Sequence, residues 1–117
     1  MSIQKEVSNK QEKYIAKRFA DIGGKLVPAS GGTKFDCGDV RISDKFLIEC
    51  KTITKDQISF SIKKSWLEKV KEQAFEQGIE NSCLAFRFGP DDKDHVVISL
   101  DLFECLIRNY LEVQKNG

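Results

Sequence analysis

Glu49 and Lys51 end an otherwise apolar stretch, Phe46-Leu47-Ile48-Glu49-Cys50-Lys51. Alternation with a period of two puts Phe46, Ile48 and Cys50 on one face of a strand, and Leu47, Glu49 and Lys51 on the other. Ser43-Asp44-Lys45 reads as a three-residue hairpin loop between strands at 35–42 and 46–53. Ile42 then pairs with Phe46, and Asp39 falls opposite Glu49 with Cβ atoms ~5 Å apart. Like charges facing each other across a ladder destabilise it. A divalent cation between them, with Lys51 alongside, removes the conflict.

Two carboxylates and a lysine around a hard cation suit phosphodiester hydrolysis. Mg²⁺ takes oxygen ligands and keeps several waters, and it polarises a phosphate and acidifies a water. Lys51 would position that water or stabilise the negative charge of the transition state. The backbone carbonyl of Cys50 offers a further ligand. The plain alternative is an edge-strand ion pair, Glu49 with Lys51, beside a turn-capping Asp39.

The elements that must position these groups follow from periodicity and punctuation. Val7, Tyr14, Ile15, Phe19 and Ile22 predict a helix over 3–22, stopped by Gly23-Gly24. A short strand at 25–28 leads to a loop of small residues, Ala29-Ser30-Gly31-Gly32-Thr33, where backbone can approach a ligand. After the hairpin, residues 59–62 alternate as a short extension or edge. Ser65-Trp66-Leu67-Glu68 is a capping box for a second helix, closed by Gly78, with Trp66, Leu67, Val70 and Ala74 as its buried stripe. Strands at 83–88 and 95–100 flank a polar turn. Asp101-Leu102-Phe103-Glu104 repeats the capping pattern and starts a last helix to about Tyr110. The order is α-β-β-β-α-β-β-α, one α/β (α+β) domain over 1–117 with a mixed central sheet flanked by helices.

Composition narrows the class. With 117 residues, 40% hydrophobic and 32% charged, the chain can bury a core but does not divide into two domains. Disordered, collagen-like and coiled-coil rod classes are excluded. No apolar run approaches the ~20 residues of a membrane span, and the polar residues 1–13 lack a signal core, which predicts a cytoplasmic protein. Cys37, Cys50, Cys83 and Cys105 form no CxxC pair, and the last three lie in apolar runs as small core hydrophobes.

The net charge of +1 hides an asymmetry. Residues 1–71 hold 15 Lys/Arg and 9 Asp/Glu, a net of +6, whereas residues 72–117 hold 4 and 9, a net of −5. The basic half is the half that carries the carboxylates, so it can draw a polyanion to them. Thr52, Thr54, Lys55, Ser59, Ser61, Lys63 and Lys64 mix short hydroxyls with lysines as phosphate contacts do. Lys34, Arg41 and Lys45 extend that surface. Gln73 faces an undetermined side of its helix. His95 begins a strand far from the acids and reads as structural.

Together these residues resemble the PD-(D/E)XK nuclease superfamily, and more narrowly the archaeal-type Holliday junction resolvases and their phage-encoded relatives. The matching segments are Gln11-Glu12-Lys13, Ser30-Gly31-Gly32, Gly38-Asp39-Val40, Leu47-Ile48-Glu49-Cys50-Lys51-Thr52 and Leu84-Ala85-Phe86-Arg87-Phe88. The likeness spans roughly residues 5–100, by pattern and order. It implies a restriction-endonuclease-like core and a Mg²⁺-dependent DNA endonuclease, with Mn²⁺ as a substitute metal. It further implies a homodimer acting on four-way or other branched DNA. Asp39 and Glu49 would be metal ligands and Lys51 the catalytic lysine. Glu12 would complete the site directly or through water, with Glu6 as a substitute, and Ser30 would lie near the scissile phosphate. Asp36 is a rival for the motif aspartate. A nicking or restriction-type enzyme and a catalytically silent DNA-binding module are the alternatives. The apolar Leu102, Phe103, Leu106, Ile107 and Tyr110 are candidates for the pairing surface.

Overall fold

The computed structural model of the chain describes residues 3–27 and 39–116. Among the described residues three helices and five strands follow one another as α1 (Ile3–Arg18), β1 (Gly24–Leu26), β2 (Val40–Ile42), β3 (Phe46–Lys51), α2 (Lys64–Glu76), β4 (Asn81–Phe86), β5 (His95–Val97) and α3 (Leu100–Asn116). A 3₁₀ turn, Ala20–Ile22, separates α1 from β1. The strands form one mixed sheet in the order β1-β2-β3-β4-β5, with only β3 and β4 parallel. That parallel pair needs a crossover, and α2 supplies it. Among the described residues no helix is long and apolar enough to cross a membrane.

Alternation along β3 divides the core between the two faces of the sheet. Ile48 packs with Ile15 and Ala16 of α1, Val40, Cys83 and Ala85. Leu47 points the other way and packs with Val70 and Ala74 of α2 and with Ile79. The sheet is thus sandwiched between α1 and α2, and β3 is central and covered on both sides.

Several local expectations change. The first helix stops at Arg18, and Tyr14 and Ile22 are exposed rather than buried. Its inward face is instead Gln11, Glu12, Ile15 and Ala16. A stripe half made of polar residues is invisible to a search for apolar periodicity. Gly23 ends the 3₁₀ turn in the left-handed region at φ 95°, and Gly24 packs so closely that a Cβ there would meet Ala16 O at 2.7 Å.

Strand β3 ends at Lys51, and residues 59–62 form no strand. Phe60 stacks on Phe86 at 4.9 Å instead, so aromatic packing holds that segment. Neither capping box forms as expected. α2 begins one residue before Ser65 with no side-chain cap. In α3 the cap is Ser99, whose Oγ accepts the Leu102 N–H at 3.0 Å, and the helix runs six residues past Tyr110. Cys50 is half-buried and Cys83 buried, but Cys105 is exposed, because α3 buries none of its residues.

Candidate active site

The β2–β3 hairpin turns through Ser43, at φ 54°, and pairs Ile42 with Phe46 and Val40 with Ile48. One step further along that register brings Asp39 level with Glu49. The Asp39 carbonyl accepts the Val27 N–H at 2.8 Å, which anchors this end of β2 to the continuation of β1. The side chains of Asp39 and Glu49 share a hydrogen bond, and Glu12 of α1 comes close enough to act electrostatically on both.

Glu12 and Glu49 are 5% and 8% exposed, so three acids meet where water screens them poorly. Burial, then the charge of Glu49, pushes the Glu12 carboxyl up to about 7. Asp39 is driven well above the carboxylate range by burial first, then by Glu49 and Glu12, with Lys69 of α2 opposing. Burial and the surrounding acids Glu12, Asp39, Asp94 and Glu49 raise the Cys50 thiol too far for it to serve as a nucleophile.

Lys51 Nζ stands 3.1 Å from Glu49 Oε1 and 4.6 Å above the Trp66 ring. The lysine is held between a carboxylate and an aromatic face. Phe60 tilts against Trp66 at 6.1 Å and fixes that ring in turn.

A second polar network anchors Glu12. Its neighbour Gln11 is fully buried, donates through Nε2 to Asp94 Oδ1 and accepts from Thr52 Oγ1, each at 2.8 Å. Arg87 closes on both oxygens of Asp94, with Nε 2.9 Å from Oδ1, and its Nη1 donates to the Pro90 carbonyl at 2.9 Å. α1 is thereby pinned to the end of β3 and to the β4–β5 turn at the position of Glu12.

Of the expected site residues, Asp39, Glu49, Lys51 and Glu12 come together. Ser30, Lys34, Asp36 and Cys37 lie outside the described residues. Glu6 is exposed on the first turns of α1. Lys55, Ser59, Ser61, Lys63 and Lys64 line an exposed segment leading into α2. Thr52 does not belong to that surface, since its hydroxyl is spent on Gln11. Arg41 is committed to the hairpin, pairing with Asp44 at 2.8 Å, and Lys45 pairs with Glu80 at 3.5 Å. His95 is exposed at the start of β5 against Phe86 and Phe88.

Reading the residues alone missed the roles of Trp66, Asp94 and Arg87. Their partners are distant in sequence, so no local spacing marks them. Gln73 Oε1 is buried with no hydrogen-bond partner among the described atoms. It lies one helical turn beyond Lys69, on the helix that faces Asp39.

The donor set suits a hard cation: buried carboxyl oxygens, an unfavourable concentration of like charge and, among the described residues, no competing thiolate or imidazole. Among the described residues no three His, Cys, Asp or Glu side chains already stand in a ligand cluster. Compared with protein-family models, curated proteins and solved structures, the chain matches none.

Proposed function

We propose that this chain is a Mg²⁺-dependent DNA endonuclease with a restriction-endonuclease-like core, acting on four-way or other branched DNA. The observation that carries this reading is the buried meeting of Glu12, Asp39 and Glu49 beside an oriented Lys51. A purely structural ion pair needs one acid for one base. Here three acids crowd a single site, and burial first, then the charge of their acidic neighbours, raises two of their pKa values, a pattern concentrated at functional sites.

Asp39 and Glu49 would hold the cation, with Glu12 completing its shell directly or through water and the Cys50 carbonyl adjacent. Bound there, the ion would polarise the scissile phosphate and acidify the attacking water. Lys51 supplies a positive charge for the anionic transition state, and Trp66 limits where that charge can go. The Gln11–Asp94–Arg87 network sets the position of Glu12. Lys55, Ser59, Ser61, Lys63 and Lys64 offer sequence-independent phosphate contacts.

The test is cleavage of a labelled four-way junction and a matched linear duplex, with Mg²⁺ or EDTA, by wild type and Glu49→Ala. Paired nicks confined to the junction, dependent on Mg²⁺ and lost in the variant, are expected. Equal cutting of both substrates would replace the junction enzyme with a nicking or restriction-type nuclease. Binding without cutting under all conditions would leave a DNA-binding module.

A further inference from the structure

Residues 52–63 run from the end of β3 to the start of α2 without helix or strand. In Ser59-Phe60-Ser61-Ile62 the serines are exposed while Phe60 and Ile62 are half-buried. Continued one step back, that alternation turns Ile58 inward beside Phe60. Ile58 is instead 103% exposed, and no other large apolar side chain among the described residues exceeds 84%. Scattered apolar residues on a surface are ordinary. One that touches nothing forgoes the whole burial free energy of its side chain.

The backbone that presents Ile58 is held on both sides. Just before it, the Gln57 N–H donates to the Phe88 carbonyl at 2.7 Å, and the carboxylate of Asp56 turns back onto Gly89. Two residues after it, Phe60 stacks on Phe86 at 4.9 Å and tilts against Trp66 at 6.1 Å. Phe86 in turn meets Phe88 edge-on at 5.4 Å. An apolar tip on an anchored backbone loses little further freedom when it binds. Trp66 is also the ring beneath Lys51, and Lys63 Nζ stands 5.5 Å from the same ring. The tip is therefore tied to the lysine of the acid site through Phe60 and Trp66. Its charged neighbours in the segment and at the start of α2 are Lys55, Lys63 and Lys64 against the single acid Asp56, so the surface around it favours a polyanion.

We propose that Ile58 is an apolar wedge that enters the base stack of DNA at a branch point and so selects which DNA the acid site receives. This rests on the endonuclease reading. Isoleucine is among the side chains that part a base step and kink the duplex, and the unstacking carries a cost. At a branch the stack is already interrupted, so the cost falls there and continuous duplex is disfavoured without any base being read. Lys55, Lys63 and Lys64, with Ser59 and Ser61, hold the flanking phosphates, which position the DNA but do not discriminate between its forms. Discrimination falls to Ile58.

The test uses the full chain in EDTA, where cutting does not compete with binding, and a four-way junction carrying 2-aminopurine beside the branch. Wild type should raise the fluorescence of the unstacked base and bind the junction in preference to a matched linear duplex. Ile58→Ala should lose the rise and reduce that preference about tenfold or more, the factor carried by burial of one isoleucine side chain. Its duplex affinity and melting temperature should stay at the wild-type values, because the side chain is fully exposed. Ile58→Leu should keep both the rise and the preference. An Ile58→Ala protein with the fluorescence and the preference intact would overturn the wedge and leave the endonuclease reading standing. A wild type that binds both DNAs equally would do the same. No binding of either DNA, in EDTA or in Mg²⁺, would overturn the endonuclease reading and the wedge together.

Discussion

Removing a charge from the acid cluster should stabilise the metal-free protein, and Glu12→Gln isolates the effect. The substitution keeps the shape of a side chain that is only 5% exposed. In the folded chain Glu12 sits at about 7 against an ordinary 4.5. A carboxyl raised on folding makes the folded state bind more protons, so stability falls as pH climbs from about 4.5 through 7. At pH 8 the full displacement corresponds to about 3 kcal/mol, and at pH 5 to under about 1 kcal/mol. Local relaxation will absorb part of this, so E12Q should gain about 1–3 kcal/mol at pH 8, a rise in Tm of several degrees for a domain of this size. The assay is thermal denaturation by circular dichroism at pH 5 and pH 8 in EDTA, then in Mg²⁺. Mg²⁺ should stabilise wild type at pH 8 and narrow the gap, because binding to the folded state neutralises the same repulsion. A loss of stability in E12Q at pH 8, or the same shift at both pH values, would refute the electrostatic reasoning.

Other expected outcomes test the surroundings. Lys51→Met should abolish cleavage and, because it leaves the buried Glu49 without its ion partner, also lower the melting temperature. Trp66→Leu, which removes a cation–π contact of about 0.5–2 kcal/mol, should lower kcat more than it raises KM. Arg87→Met leaves Asp94 buried without its ion partner and should cost about 3–5 kcal/mol by urea titration. Gly24→Ala drives a methyl into Ala16 O and the Phe19 side chain at 2.7–2.8 Å. It should destabilise by about 1–3 kcal/mol, and an unchanged midpoint would show that α1 and β1 can separate.

Much of the fold was legible where short-range rules apply. The β2–β3 hairpin register follows from a three-residue loop and period-two alternation, and it carried the meeting of Asp39 with Glu49. Gly78, at φ 71°, closes α2 because helix ends favour that backbone region. Legibility failed where a neighbour distant in the chain decides. Gln11 and Glu12 occupy the buried stripe of α1 because Thr52 and Asp94 satisfy Gln11 and the acid cluster receives Glu12. Apolar periodicity therefore pointed to Tyr14 and Ile22, which are exposed. Ser65 begins a capping pattern but lies inside α2, since Lys63 with extended backbone already starts the helix.

By itself the sequence determined residue types and local spacing: the acids of the hairpin, the lysine two residues after Glu49, the stops at glycine and the two-sided apolar pattern of β3. Those are properties of a few consecutive residues and of backbone sterics. Tertiary structure alone decided that Trp66 holds Lys51, while for Glu12, which the resemblance already named, it supplied the approach to the acids from a helix 37 positions upstream of Glu49. It also decided that Arg87 and Asp94 brace the site and that α3 is left uncovered. Each of these depends on which faces meet when the sheet closes between α1 and α2. Burial, which gives the carboxylates their altered proton affinity, exists only after that packing.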